Sequence, residues 1–235
     1  MVKEELIKRS PLRIFEKSIH GGLGKGNIGV LASRKGVGKT ACLVHIATDQ
    51  LFRDKHVIHA SFSEKVDHII SWYEDIFTEI SKKRNLESAI DVHDESIRNR
   101  VIMNFNQEGV GAGQVVRSIN AMIKEGNFAA DTVIFDGYDI PRAGREDWKI
   151  IIEFARDAGL EVWFSVSLGE ADPQYDSRGV PLMLSEIFDD VAVLIVLAFS
   201  GNHVHFKAVK DHDELEPKDM HLMLDPKTLL IAEEA

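Results

Sequence analysis

Short apolar runs alternate with longer amphipathic stretches along most of the chain, the order expected of β/α units built around a mostly parallel sheet. The runs cover residues 28–32, 57–62, 100–105, 132–135, 161–166 and 191–199. Several are nearly continuous in Val, Ile and Leu, which predicts strands covered on both faces. Between them, Val66, Ile69, Ile70, Tyr73, Ile76, Phe77 and Ile80 recur at three- and four-residue steps, predicting a helix that buries one stripe. Residues 114–124 and 146–158 repeat that pattern, and Gly159 supplies a stop for the second.

The last third changes character. After 191–199, a Gly201-Asn202 turn and alternation over 203–209 predict an antiparallel hairpin, and 220–224 and 229–231 read as short edge strands. Residues 85–99, rich in charged and amide side chains, read as a helix or a mobile insertion. Residues 1–26 form a lead-in, a short helix followed by a glycine-rich loop, ahead of a single α/β domain over 27–235.

Composition narrows the class. The 235 residues suit one large domain, and 44% hydrophobic with 28% charged residues describes an ordinary globular chain. A net charge of −10 argues against a broad nucleic-acid footprint, which needs a basic face. The single cysteine, Cys42, cannot close an intramolecular disulfide, so a reducing cytoplasm is expected. No stretch approaches the roughly 20 apolar residues of a membrane span. Association with a membrane is therefore not expected.

The sharpest chemical signal is Ser33-Arg34-Lys35-Gly36-Val37-Gly38-Lys39-Thr40, directly after one apolar run and directly before the helical stretch that opens at Ala41. A phosphate-binding loop needs a strand that stops sharply, glycines that let the backbone wrap an anion, and a helix whose first amides face that anion. On this reading residues 34–41 cradle the nucleotide, Lys39 reaches the β- and γ-phosphates, and the Thr40 hydroxyl ligates Mg²⁺. The opposing reading makes Gly36 and Gly38 a tight turn and nothing more. Asp136 follows the apolar run 132–135 and is the candidate carboxylate for Mg²⁺, held directly or through water, with Asp139 better placed as a turn cap. Glu64, after the run 57–62, is available to activate water. It also stands where a helix's first turn begins, with Ser63 as its N-cap.

At these residues the chain resembles the RecA-type ATPase superfamily, most of all its KaiC and DnaB-helicase branch, from about Gly21 to Asp213. The best stretch runs from Leu31 to Glu64, where the loop is similar to the helicase form that also lacks the first glycine. The resemblance implies a RecA-like core with helices on both faces of the sheet, Mg-ATP as ligand and Asp136 in the Mg²⁺ position. It also implies nucleotide shared between subunits of an oligomer.

Three positions depart from the family pattern. The family's glutamate position holds Ser63, with Glu64 one step late; Ser167 replaces the helicase glutamine; and the Lys-x-Arg pair offered to a neighbouring subunit becomes Lys210 and His212. Loss of a trans arginine costs orders of magnitude in rate in related chemistry. The expectation is an ATPase with weak or partner-dependent hydrolysis, or else a non-hydrolysing switch or assembly module that contacts a second copy or another protein.

Other features have plainer readings. His203 and His205 share one strand face and read as exposed polar positions. Trp72, Trp148 and Trp163 lie in core-facing runs, Lys82-Lys83-Arg84 favours a helix C-terminus, and Arg142, Arg145 and Arg178 are too dispersed for a kinase lid.

Overall fold

Each of the apolar runs forms a strand, and the connections follow the period read from the sequence. The computed structural model describes residues 2–62, 66–84, 90–106, 109–140, 142–169 and 172–234. In chain order the elements are α1 (Val2–Lys8), α2 (Leu12–Ser18), β1 (Ile28–Ser33), α3 (Lys39–Phe52), β2 (Val57–Ser61), α4 (Val66–Arg84), α5 (Ile90–Arg98) and β3 (Arg100–Asn104). There follow α6 (Ala112–Lys124), β4 (Thr132–Asp136), α7 (Arg145–Ala158), β5 (Glu161–Ser167), β6 (Val193–Ser200), β7 (His203–Asp211), β8 (Lys218–Leu224) and β9 (Ile231–Glu233). The segment read as helix or insertion contains α5, and residues 85–89 lie outside the described residues. Gly159 ends α7 in the left-handed conformation, where a side chain would be strained.

The strands form one sheet in the order β3-β2-β4-β5-β1-β6-β7-β8-β9. The first six are parallel, and β6 to β9 pair antiparallel, with the two-residue Gly201-Asn202 connection joining β6 to β7. Successive residues of each central strand feed opposite faces. Ile28, Val30, Ala32, Val133 and Phe135 pack with α6 and α7, while Leu31, Ile134 and Trp163 pack with α2, α3 and α4. The lead-in joins the second face, where Leu12, Phe15, Ile19 and Leu23 are buried.

The helix that follows the glycine loop is enclosed on every side. All twelve side chains from Ala41 to Phe52 are buried, including those of His45, Thr48, Asp49 and Gln50. Helices α1, α2, α4 and α5 pack around α3 beside the central strands, and Leu222, Leu224 and Ile231 join the same buried cluster. Burial of polar groups demands partners. Asp49 is held by Arg13 and Arg53, Gln50 donates to Glu161 at 3.0 Å, and His45 Nε2 accepts from the Ile231 amide at 3.3 Å.

Gly29 has a steric reason to be glycine. It pairs with Trp163 across β1 and β5, and a Cβ at residue 29 would stand 2.5 Å from the indole ring. Trp163 therefore lies flat across β1 and meets the Phe15 ring at 5.8 Å. Gly29→Ala is expected to cost about 1–3 kcal/mol by forcing the ring from its place. Denaturant unfolding followed by tryptophan fluorescence reads this directly, and an unchanged midpoint would overturn the packing argument.

Candidate functional site

The parallel strands end on a common edge, and their register decides what meets there. Ser61 pairs with Asp136 and Asp136 with Ser165, giving a polar row across β2, β4 and β5, while Ser33 of β1 pairs with Ser167 in a second row two residues farther along β5. The glycine loop leaves this row at Ser33 and enters α3 at Lys39. Gly36 and Gly38 have φ of 80° and 117°, values that L side chains avoid, which lets the loop fold back over the helix N-terminus. A Cβ at Gly38 would also strike Leu224 of β8. The antiparallel extension thus buttresses the loop as well as α3.

Within the loop, Lys39 Nζ donates to the Ser33 carbonyl at 3.2 Å, the Ser33 hydroxyl at 3.1 Å and the Arg34 carbonyl at 3.0 Å. Burial holds the Lys39 ammonium below the ordinary lysine value, against the upward pull of Asp136. Ser33, which replaces the usual first glycine of the motif, is buried and serves as a tether for the lysine. Arg34 pairs with Asp172 at 3.2 Å on the surface, and Lys35 and Gly36 are exposed. Val37 and Ala41 point into the core, so they can offer only backbone groups to a ligand.

Thr40 and Asp136, 96 residues apart, meet at 2.9 Å through Oγ1 and Oδ2. The other oxygen of Asp136 accepts from Ser165 Oγ at 2.6 Å, and that hydroxyl accepts in turn from the Gly137 amide at 2.8 Å. Burial alone would raise the Asp136 carboxyl, but the adjacent His59 imidazole and the Ser165 and Thr40 hydroxyls hold it below the usual carboxylate range. It is anionic at neutral pH.

His59 is fully buried on β2, with Nδ1 3.1 Å from the Tyr73 hydroxyl and Nε2 3.8 Å from Asp136 Oδ2. Nε2 has no hydrogen-bond partner among the described residues. Neither Ser165 nor His59 is among the residues the motif designates. Ser165 carried a faint signal as the central polar residue of an apolar strand; His59 carried none beyond being a histidine inside another.

Glu64 and Ser63 lie outside the described residues, so the structure assigns no base at that position. Asp139 accepts from the Arg142 amide at 3.3 Å, the turn-capping role expected for it. Ser167 stands exposed at the end of β5. Lys210 departs from its expected role as a group offered to a neighbouring subunit. It is buried, donating to the Phe188 carbonyl at 2.7 Å and the Asp189 carbonyl at 3.3 Å, with its charge over the Phe188 ring. The acidic turn before β6 captures this lysine because its carbonyls point inward. His212 is likewise occupied, bonded to Asp211 and to the Leu23 carbonyl.

A second concavity of about 260 Å³ opens near the ends of β2 and β4, lined by Phe62, Gly111, Tyr138, Asp139, Arg142 and Asp147 among others. Burial first, and then the charges of Asp147 and Asp139, push the Tyr138 phenol up to about 12. The phenol stays protonated and can donate at any physiological pH. None of its lining residues belongs to the glycine loop.

The site defines a class only as far as an α/β protein with a strand–glycine loop–helix and a carboxylate beside its threonine. No family model matches the chain, and no curated protein matches it either. Among the described residues no helix is long and apolar enough to cross a membrane.

Proposed function

We propose that the chain binds a magnesium nucleoside triphosphate on the loop from Ser33 to Ala41, in the manner of a RecA/KaiC-like core. On this reading it hydrolyses the ligand weakly or only with a partner. The observation that carries the reading is the convergence of Thr40 Oγ1 and Asp136 Oδ2 at 2.9 Å beside Lys39. A hydroxyl and an ionised carboxylate within a hydrogen bond of each other are the oxygen donors that Mg²⁺ prefers. Among the described residues Lys39 has only uncharged oxygens of its own loop as hydrogen-bond partners, so a phosphate can take it over. Gly36 presents no side chain where the anion would approach.

The residues present therefore fit the ligand. Lys39 and the loop amides would hold the phosphates, and Thr40 and Asp136 would hold the metal, with Ser165 and His59 keeping Asp136 oriented and charged. Bound Mg²⁺ would supply charge neutralisation at the phosphate oxygens. Adenine as the base follows from the resemblance.

The non-hydrolysing switch is the second reading, and the inward-turned Lys210 favours it. A lysine fixed on the Phe188 and Asp189 carbonyls is not free to reach a neighbour's nucleotide. The test is phosphate release from Mg-ATP by the purified chain, with binding of the same nucleotide measured with and without Mg²⁺. Magnesium-dependent binding is expected. Turnover beside it makes the protein an ATPase, binding without turnover makes it a switch, and no binding with either metal condition ends both readings.

A further inference from the structure

At the edge of the sheet opposite the glycine loop, two histidines converge on one buried carboxylate. His20 lies between α2 and β1, while Asp211 ends β7 and His212 follows it. His20 Nδ1 is 2.6 Å from Asp211 Oδ2, and His212 Nδ1 is 2.9 Å from Asp211 Oδ1. The two rings stand edge to face with centroids 6.3 Å apart. Asp211 is only 2% exposed, whereas His20 is half exposed, so the cluster has a buried floor and an open side.

The far nitrogens decide the chemistry. His20 Nε2 faces Glu214 Oε1 at 3.2 Å, and His212 Nε2 faces the Leu23 carbonyl at 3.2 Å. Both partners only accept, so each places a proton on Nε2. A neutral imidazole has one proton. Each Nδ1 stands within hydrogen-bond distance of an Asp211 oxygen, a contact that needs a cation, either a proton or a metal ion, between nitrogen and carboxylate. Metal-binding histidines are oriented in this way, with the second ring nitrogen donating to a carboxylate or backbone carbonyl.

We propose that His20, Asp211 and His212 form a site for a divalent transition-metal ion of the zinc class, which pins the segment before β1 to the end of β7. The ligands would be the two Nδ1 atoms and an Asp211 oxygen, with the fourth position open to water on the exposed side. Ligand atoms of the three residues lie within 4.8 Å of one another, and the half-exposed His20 ring can swing to bring all three within bonds of about 2.0–2.2 Å to one ion. Binding replaces the hydrogen bonds of His20 and His212 to Asp211 and competes with one further cation, Lys218. Its ammonium sits on Asp211 Oδ2 at 2.8 Å and on Glu214 Oε2 at 3.0 Å, as a cation competing for the same carboxylate. The site is independent of the nucleotide reading, since it stands at the other end of the strands.

The test is titration of the full chain with Zn²⁺, followed by calorimetry, and with Co²⁺, followed by its visible absorption. One equivalent is expected, with the intense Co²⁺ bands of a low-coordinate nitrogen and oxygen site. His20→Gln, at a half-exposed position, is expected to weaken binding at least about 10–100-fold, the cost of losing even an outer partner of such a ligand. His212→Gln should do the same. Lys218→Met should tighten binding several-fold, because it removes the competing cation. His221→Gln, in the separate cluster of Asp219, His221 and Glu234, should leave the site untouched. No saturable binding, or binding that survives both His20→Gln and His212→Gln, would overturn the proposal and leave the two histidines as imidazolium partners of Asp211.

Discussion

Lys39→Ala is expected to lose most nucleotide affinity while the protein keeps its melting temperature. Among the described residues the ammonium makes three hydrogen bonds, all to Ser33 and Arg34 of its own loop, and supports no core residue. Removing it therefore leaves α3 and the sheet intact. Against a triphosphate the same ammonium would make charge-assisted bonds, worth about 1.5–3 kcal/mol each net. One such bond lost corresponds to roughly a 10- to 150-fold rise in Kd. Calorimetric titration with Mg-ATP beside a thermal melt separates the two effects. Equal affinity in a folded variant would remove Lys39 from the site, and a large fall in melting temperature would mean that the loop is structural.

The second large effect is expected at Asp136. Asp136→Asn preserves size and keeps one acceptor oxygen for Ser165, turning its NH2 group to the Thr40 hydroxyl, but it removes the charge that a metal needs. Binding should lose its dependence on Mg²⁺ and fall to the metal-free level of the wild type. Stability should change less, for a balance that can be read from the structure. The carboxylate is buried and its pKa is lowered, so it stabilises the fold above the unfolded value of about 3.9, and that contribution is lost only as pH falls through the lower folded value. Asparagine gives up this contribution but also its desolvation cost, and its amide oxygen still accepts from Ser165. Nucleotide binding that stays Mg²⁺-dependent in Asp136→Asn would place the metal carboxylate elsewhere.

These two variants also separate the nucleotide reading from the metal cluster at the far edge. Neither Lys39 nor Asp136 touches His20, Asp211 or His212, so both should bind Zn²⁺ as the wild type does.

The sequence by itself determined the element order and much of the site. Hydrophobic period and turn residues located the strands to within one or two residues over most of the chain, because an unbroken Val, Ile and Leu run has few places to go except a sheet interior. The loop from Ser33 to Thr40 was legible because a tight phosphate-type turn needs glycine at positive φ, and glycines at that spacing before Lys-Thr are conspicuous. Asp136 could be picked from its place at the end of a strand. The capping role of Asp139 was equally local.

Tertiary structure alone decided the rest. That β5 lies between β4 and β1, bringing Ser165 under Asp136, depends on sheet order, and strands identical in pattern can be arranged in many orders. The enclosure of α3 follows from α1, α2, α4 and α5 packing around it beside the sheet, which puts His45, Asp49 and Gln50 among partners from distant segments. The resemblance offers Lys210 to a neighbouring subunit, yet the carbonyls of the turn before β6 hold it inward. The pairing of His20 with Asp211 spans 191 residues, and no local rule relates two positions so far apart. Secondary structure is written in short-range periodicity, whereas a site assembled from several strands is set by which strands become neighbours, a choice made by the whole core at once.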